Sequence, residues 1–240
     1  MSTIFVTGAN RGIGLGLVKE FLKQADVCIL IATTRNKQAS KDLLAIDDAR
    51  LHVVEMDVND DNSITAAVKQ ASAIVGSDGI ELLVNNSGIY SPYLVDATPD
   101  RAAALRHLEC NAIGPLIVTQ NFLPLLRQAS KSSGHARIVI ISSLFGSLSC
   151  NTGSTPKQAI AYKMSKAAVN QMMRTLSFDL ADENIYCYAF CPGWVQTDMG
   201  GMDATLTVEE STSSLIQSFK KLGKEQNGGY FKKDLEVITF

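Results

Sequence analysis

The sequence lacks several features that would point to particular classes of protein. Its 240 residues carry a net charge of -2 and no long run of one sign, so it has no electrostatic footprint for nucleic acid. No apolar segment approaches the roughly 20 residues that a transmembrane helix needs. A strand-like run begins almost at once, without the basic and apolar stretches of a secretory signal. We therefore expect a cytoplasmic protein that binds neither nucleic acid nor membranes.

Histidine and cysteine are scarce and scattered. The three histidines are isolated from one another, and the five cysteines do not have the spacing of a metal site. Several cysteines lie in apolar runs, which is typical of reduced, buried thiols in an intracellular protein. The sequence therefore predicts that the protein holds no metal.

Short apolar runs alternate with longer amphipathic runs along the whole chain. The short runs predict strands near residues 3–7, 27–33, 52–57, 80–85, 137–142, 185–190 and 235–239. Most of these runs are apolar nearly throughout, as strands buried on both faces of a parallel sheet are. The amphipathic runs predict helices that include one beginning near Ile13, one from Asp100 to Gln128 with a kink at Pro115, and one from Ala159 to Leu180.

This alternation predicts a doubly wound α/β fold of Rossmann type, in which a parallel sheet of about seven strands is flanked by helices. We see no linker and predict a single domain over residues 1–240. In such sheets, ligands bind beyond the carboxyl ends of the strands. The functional residues should therefore follow the strands directly.

Tyr162 and Lys166 lie four positions apart in a predicted helix, which places a phenol and an ammonium on the same helix face. A phenol has an ordinary pKa of about 10 and exchanges protons poorly at neutral pH. A fixed cation beside it would lower that pKa toward the working range. Such pairs are also common on exposed helix faces, so this one gains weight only from the rest of the chain.

Three glycines follow the first predicted strand at the spacing G-x-x-x-G-x-G. Small residues allow the backbone to approach a pyrophosphate, and the N-terminus of the following helix offers free N–H groups. The spacing differs from the G-x-G-x-x-G fingerprint, and an ordinary glycine-rich turn is the alternative. We predict a dinucleotide site that includes Gly8, Asn10, Arg11, Gly12, Ile13 and Gly14.

The glycine loop resembles that of the short-chain dehydrogenases/reductases, and further motifs of this family follow in order along nearly the whole chain. They are Asp57-Val58, Asn85-Asn86-Ser87-Gly88, Asn111, Ser142-Ser143, Tyr162-x-x-x-Lys166 and Pro192-Gly193-Trp194-Val195-Gln196-Thr197. Each motif is modest alone, but six in order at the predicted positions are specific. Ser87 stands where the family usually has alanine. The chain most resembles the Sniffer-type carbonyl reductases.

One departure from the family pattern lies between Ser143 and Tyr162, which are 19 residues apart and thus farther than is usual. The additional residues fall in the irregular stretch 150–158. We interpret this stretch as a loop insertion beside the substrate pocket, which affects the shape of the pocket and not the chemistry.

The resemblance implies a catalytic set of Asn111, Ser143, Tyr162 and Lys166. In reduction, Tyr162 would give a proton to the substrate oxygen, and Ser143 would hydrogen-bond that oxygen. Lys166 would lower the pKa of Tyr162 and hold the nicotinamide ribose, and Asn111 would hold a water that links Lys166 to solvent. In isolation, Ser143 could instead cap a loop and Asn111 could tie helix to sheet. Ser142 is the rival for the serine role, but Ser143 lies further out at the strand end.

The resemblance also implies how the rest of the cofactor is held. The residues expected to contact it, besides the glycine loop and the Tyr162–Lys166 pair, are Asp57 and Val58 at the adenine, Asn85, Pro192 and Gly193 under the nicotinamide, and Val195 and Thr197 at its carboxamide.

The residues after the second predicted strand distinguish between the two nicotinamide cofactors. NAD-selective sites of this topology usually have an acidic residue there, whereas Thr33-Thr34-Arg35-Asn36 has none. Arg35, together with Arg11 of the glycine loop, could grip a 2′-phosphate in a bidentate way. The alternative is two solvated surface arginines. We predict NADP(H).

The loops that should surround the substrate are rich in apolar side chains, which include Tyr93, Leu94, Leu144, Phe145, Leu148, Trp194, Met199 and Met202. We expect an uncharged apolar aldehyde, ketone or quinone as the small-molecule substrate, although these side chains could also simply pack. Two alternatives stay open. One is an NADP-dependent alcohol or steroid dehydrogenase, and the other is a nucleotide-sensing protein without turnover. The family resemblance further implies a homodimer or homotetramer formed by the long helices.

Overall fold

A computed structural model describes residues 2–152 and 159–240 of the chain. The strands in this part are β1 (Ser2–Val6), β2 (Val27–Thr34), β3 (Leu51–Glu55), β4 (Leu82–Asn85), β5 (Ala136–Ile141), β6 (Ile185–Cys191) and β7 (Tyr230–Lys232). The α-helices there are α1 (Gly12–Leu22), α2 (Lys41–Leu44), α3 (Asp61–Val75), α4 (Arg101–Leu108), α5 (Gly114–Ser133), α6 (Ile160–Asp179) and α7 (Val208–Phe219).

The strands of the described residues form one seven-stranded sheet in the order β3-β2-β1-β4-β5-β6-β7, and every neighbouring pair is parallel. The order reverses between β1 and β4, so the chain is wound to both sides of that point. In open α/β sheets, the crevice at such a reversal is where ligands bind. The predicted doubly wound fold is therefore confirmed.

Helices cover both faces of the sheet, because alternate residues of the strands point to opposite sides. In β1, Ile4 and Val6 face α1 and α7, whereas Phe5 faces the side of α3, α5 and α6. The Phe5 ring lies 4.3 Å from the ring of Phe122 on α5, measured between centroids. Burial on both faces explains why the strands are apolar nearly throughout.

The predicted position of the last strand is wrong. The apolar run at 235–239 does not form the seventh strand, which is β7 (Tyr230–Lys232). After β7 the chain turns back on itself, and Leu235 adopts a positive φ of 69°. Val237 then forms only an isolated antiparallel bridge with Phe231. A three-residue strand gives too short an apolar run to be recognised from the sequence.

The predicted helix from Asp100 to Gln128 is interrupted close to Pro115. A π-helical turn, Glu109–Ile113, separates α4 from α5. Pro115 lies in the first turn of α5, directly after the π turn, and its missing N–H leaves one fewer hydrogen bond where the two join. Pro124 is accommodated inside α5. π turns of this kind occur frequently at functional sites, and this one carries Asn111.

Candidate active site

The loops after β1, β4, β5 and β6 lie together at the carboxyl edge of the sheet. The first of them, the glycine loop, has Gly8 and Gly12 at positive φ angles of 63° and 52°. Arg11 precedes α1 in an extended conformation, and no side chain caps the helix or places an acid in its first turn. The first N–H groups of α1 are therefore available to an anion, which the helix dipole also favours.

Gly14 explains why the loop needs a third glycine. A Cβ atom at this position would lie 2.2 Å from the Gly8 carbonyl oxygen and 2.6 Å from the Asn86 amide nitrogen. Contacts this short do not occur, so the close approach of helix α1 to the loop requires a residue without a side chain. The glycine spacing thus reflects a compact backbone cradle.

Thr7 and Asn86 hold this cradle at the reversal point of the sheet. The Thr7 hydroxyl accepts hydrogen bonds from the backbone N–H groups of Asn86 (3.0 Å) and Ser87 (2.9 Å). In return, the Asn86 amide donates to the carbonyl oxygens of Thr7 and Gly8, both at 3.0 Å. The sequence prediction did not include these two residues, although both are polar residues directly after apolar strands.

Asn85, which the sequence assigns to the cofactor site, is 2% exposed. Its amide donates to the Thr119 hydroxyl at 3.1 Å and so ties β4 to α5. Its side chain therefore serves the packing of the sheet against the helix, and the neighbouring Asn86 supports the glycine loop.

The loop after β6 reaches back to the glycine loop. Pro192 is buried and Gly193 has a φ of 87°. Val195 is buried, and the Thr197 hydroxyl donates to its carbonyl oxygen and accepts from Gly200. A Cβ on Gly12 would lie 3.2 Å from the Thr197 methyl carbon, so the two loops are in near contact. The glycine loop and the predicted carboxamide-binding residue Thr197 are therefore brought together.

The two predicted phosphate-binding arginines differ in their surroundings. Arg35 is exposed immediately after β2. Arg11 is also exposed, and its guanidinium pairs with the carboxylate of Asp198 in the loop after β6. The pair is solvent-accessible, and such ion pairs contribute little net free energy. Arg11 can therefore exchange this partner for another anion at small cost.

Asp57 and Val58 follow the third strand, β3, after one intervening residue. The Asp57 carboxylate accepts a hydrogen bond from the Asn59 backbone at 3.0 Å. Its own backbone N–H donates to the Ser63 hydroxyl, and Val58 is buried. Local hydrogen bonds thus hold the chain around Asp57 in place.

Helix α6 carries Tyr162 and Lys166 on one face, as the four-residue spacing predicts. The Lys166 ammonium lies 5.6 Å from the centroid of the Tyr162 ring and donates to the Ile141 carbonyl oxygen at 2.8 Å. The Tyr162 ring meets the edges of Tyr90 and Phe145, at centroid distances of 5.3 Å and 6.3 Å. Two rings, from the loop after β4 and from the turn after β5, therefore flank the phenol.

The electrostatics of this pair correct one expectation. Burial raises the pKa of Tyr162, and a hydrogen bond with the Ser143 side chain opposes that rise. In the chain alone the pKa of Tyr162 is thus raised and not lowered as expected, because burial outweighs the groups that favour the phenolate. Burial lowers the pKa of Lys166 itself to about 8.

Ser143 and Ser142 are clearly distinguished. Ser142 is buried, and its hydroxyl donates to the Asn170 side-chain oxygen at 2.6 Å. Ser143 is half-buried beyond the end of β5, where its hydroxyl meets Tyr162 and accepts from the Phe145 backbone. The geometry therefore brings Ser143, and not Ser142, to the phenol.

Asn111 is 1% exposed and makes three hydrogen bonds within the protein. Its amide nitrogen donates to the Ile89 carbonyl oxygen (2.9 Å) and to the Ser165 hydroxyl (3.0 Å), and its oxygen accepts from Ile89 N–H (2.8 Å). A Cβ on Gly88 would lie 3.3 Å from the Asn111 oxygen and 3.7 Å from the Lys166 ammonium. Asn111 thus ties the π turn to the loop after β4, beside Lys166.

An apolar cleft of about 1010 Å³ adjoins the Phe145 ring, which contacts Tyr162. Its lining includes Leu94, Phe145, Leu148 and Met164, and Phe145 is shared between the cleft and the edge of Tyr162. Most of the predicted loop insertion at 150–158 lies outside the described residues, since these stop at 152 and resume at 159.

Among the described residues, no group of three or more histidine, cysteine, aspartate or glutamate side chains is placed to hold a metal ion. None of the helices in that part of the chain has the length and apolar character that a bilayer crossing requires.

A parallel sheet with a preformed anion cradle at its reversal point, next to a tyrosine, a lysine and a serine, defines an α/β enzyme of the dinucleotide-binding class. Comparison with known proteins specifies the class further. Residues 2–205 match the family described as short chain dehydrogenase, and the chain belongs to this family.

Solved structures of similar proteins match over the full length of the chain. Sniffer of Caenorhabditis elegans is 40% identical, with a TM-score of 0.92 and complete coverage of both chains. The carbonyl reductase Sniffer of Drosophila melanogaster is 35% identical, with a TM-score of 0.93 and the same coverage. An NADPH-bound carbonyl reductase from chicken fatty liver is 33% identical, with a TM-score of 0.94, and the match covers 100% of this chain and 99% of that one.

Proposed function

We propose that the protein is an NADP-dependent oxidoreductase that reduces the carbonyl group of an apolar aldehyde, ketone or quinone, with Tyr162 as the proton donor. The observation that carries the proposal is the meeting of Ser143 and Tyr162 beside Lys166, at the edge of the sheet where the glycine cradle opens. The similarity to an NADPH-bound carbonyl reductase supports the choice of cofactor and reaction.

The described residues fit NADP(H). The free N–H groups of α1 and the cradle closed by Gly14 suit a pyrophosphate, to which Gly8, Asn10, Arg11, Gly12 and Ile13 contribute. Arg35 and Arg11 would hold the 2′-phosphate, and Asp57 with Val58 would hold the adenine. Pro192, Gly193, Val195 and Thr197 would hold the nicotinamide, with Asn85 supporting β4. When bound, the reduced cofactor supplies the hydride.

Substitution of Gly14 by alanine should weaken NADPH binding about tenfold, because the added methyl group overpacks the cradle. The Gly8 backbone and the Asn86 amide would have to move apart to admit it. Quenching or enhancement of NADPH fluorescence in a titration measures the dissociation constant. Gly223→Ala is the matched control, since a Cβ there meets only the Gln226 side chain, at an ordinary 3.8 Å. Equal affinity in the two variants would contradict the assigned cradle.

The chain's own residues would manage the proton. Because burial raises the pKa of Tyr162, its phenol stays protonated at neutral pH, which is the state that a donor in reduction requires. The Ser143 hydroxyl would stabilise the charge that develops on the substrate oxygen. Lys166 would hold the nicotinamide ribose, and Asn111 beside it would hold a water that returns protons from solvent.

The surroundings of Tyr162 favour an uncharged apolar substrate. Tyr90 and Phe145 make T-shaped ring contacts with the phenol, and the adjoining cleft is lined mainly by apolar side chains. Lys163, a cation at this cleft, donates to the Asn151 side chain at 3.1 Å and stands over the Phe145 ring. A substrate carboxylate would therefore compete with existing contacts of this lysine.

An NADPH oxidation assay with a panel of quinones, isatins and aldehydes tests the proposal. We expect turnover with at least one apolar class and markedly weaker turnover with NADH. Faster NADP⁺ reduction with alcohols or steroids would favour the dehydrogenase alternative. Tight NADPH binding without any turnover across the panel would contradict the proposed activity and favour a nucleotide sensor.

We further propose that the protein acts in the cytoplasm as a homodimer or homotetramer formed through α4, α5 and α6. Large apolar side chains are exposed on α4, on the π turn and on α6, and they include Leu105 (45%), Ile113 (50%), Met164 (51%) and Phe178 (65%). Light scattering coupled to gel filtration gives the mass directly, and a monomer at micromolar concentration would contradict the assembly.

A further inference from the structure

Three consecutive residues at the end of β5 are each held by a side chain from another element. The Ile141 carbonyl oxygen accepts from Lys166 at 2.8 Å, and the Ser142 hydroxyl donates to Asn170 at 2.6 Å. The Ser143 carbonyl oxygen accepts from the hydroxyl of Tyr230. Lys166 and Asn170 lie one turn apart on α6, whereas Tyr230 comes from β7, far along the chain.

Tyr230 is itself held firmly in place. It is 1% exposed, and as the first residue of β7 it pairs with Ala189 of β6. Its ring lies 5.5 Å from the ring of Phe240, and its carbonyl oxygen accepts from Ile238 at 2.8 Å. Because backbone and ring are both fixed, the hydroxyl is a rigid support for whatever it contacts.

A simpler reading is that any buried tyrosine hydroxyl needs an acceptor, and that a nearby carbonyl meets this need. The position of the acceptor favours a more specific role. Its carbonyl belongs to Ser143, whose side chain meets Tyr162 and also accepts from the backbone N–H of Phe145. Fixing the peptide after Ser143 therefore restrains the direction of its Cα–Cβ bond, from which the hydroxyl reaches Tyr162.

We propose that Tyr230 is a positioning residue for the reaction, which acts by donating a hydrogen bond to the Ser143 carbonyl and thereby directs the Ser143 hydroxyl toward Tyr162 and the substrate oxygen. This inference rests on the proposed function and extends it to a residue that does not touch the substrate. It also explains why a three-residue strand at the sheet edge carries a buried tyrosine.

Tyr230→Phe tests this role, because the ring stays and only the hydroxyl is lost. We expect kcat to fall about tenfold, since a small displacement of a group that contacts the reacting atoms is costly, while KM for NADPH stays unchanged. Tyr188→Phe is the matched control. The Tyr188 hydroxyl donates to the Gly223 carbonyl oxygen at 2.8 Å, and its side chain is fully buried in the core on the opposite face of the sheet. Both variants lose a buried hydrogen bond, but only Tyr230→Phe should lose kcat.

A double-mutant cycle separates positioning from a general loss of stability. If Tyr230 acts through Ser143, Tyr230→Phe should lower kcat by less than about twofold once Ser143 is already alanine, because coupled residues are not additive. Independent effects would multiply in the double variant and would overturn the inference. Thermal unfolding of each variant shows whether it is folded.

The outcomes distinguish this inference from the proposed function. Turnover by the unaltered protein together with an unchanged kcat in Tyr230→Phe overturns the inference alone, whereas no turnover by the unaltered protein overturns both. If Tyr230→Phe does not fold, Phe240→Leu replaces it. The Phe240 side chain is 42% exposed, so this change loosens the ring contact without emptying the core. A lower kcat with unchanged NADPH affinity supports the inference, and full kcat overturns it.

Discussion

Replacing Tyr162 with phenylalanine is expected to lower kcat by about a thousandfold, because a positioned acid contributes roughly 10²- to 10⁴-fold to such a reaction. The ring would keep its edge contacts with Tyr90 and Phe145, so the shape of the site should not change. Steady-state NADPH oxidation with a substrate identified from the panel measures the loss.

Binding of NADPH should be nearly unaffected in Tyr162→Phe, since the glycine cradle and the arginines are intact. Tyr186→Phe is a suitable control. Its hydroxyl bonds Asn184 at the start of β6, at the amino end of the sheet, and should not influence turnover. Full activity in Tyr162→Phe would show that Tyr162 is not the proton donor. Loss of NADPH binding would show that the residue serves the cofactor instead.

Replacing Arg35 with aspartate should raise KM for NADPH about a hundredfold, because a charge-assisted hydrogen bond is lost and a repulsive charge takes its place. Arg35 is the exposed cation directly after β2, where an NAD-selective site would have an acid. KM for NADH should change little or fall, so the ratio of the two constants is the informative measurement.

Arg101→Asp provides the matched charge reversal. Arg101 is exposed at the first position of α4, and aspartate is well tolerated at a helix N-terminus. This variant should leave both KM values within about twofold of the unaltered protein, because Arg101 is not among the residues assigned to the cofactor and exposed charges are screened by salt. An Arg35→Asp enzyme with normal KM for NADPH would show that the 2′-phosphate is held elsewhere.

The sequence predicted those parts of the fold and site that are determined by residues within one short segment. The apolar strands predicted the buried parallel sheet, and glycines after the first strand predicted the cradle. The spacing of Tyr162 and Lys166 predicted a shared helix face. The choice of Ser143 over Ser142 rested only on its position further out, and the hydrogen bond from Ser142 to Asn170 now gives the reason.

The features that could not be predicted depend on contacts between distant segments. Thr7 and Asn86 meet only because β1 and β4 are neighbours at the reversal of the sheet. The role of Tyr230 requires that β7 continue the sheet beside β6, which its three residues did not reveal. The rise in the Tyr162 pKa follows from burial by rings of other segments, which the local pairing with Lys166 could not indicate.

The interruption near Pro115 shows that a local signal can give the position of a break in a helix without giving its form. The sequence predicted a kink at this proline, and the helix is indeed interrupted nearby. The interruption is the π turn that ends just before α5, and it directs Asn111 to Ile89 and Ser165. Proline then begins the next helix, where its fixed φ is favourable.

A crystal structure of the protein with NADP⁺ and the alcohol product would test the central claim most directly. We predict that the product oxygen lies within hydrogen-bond distance of both the Tyr162 and Ser143 hydroxyls, on the side of the crevice that faces the glycine loop. A product oxygen bound away from the Tyr162 hydroxyl, with the cofactor in place, would contradict the account.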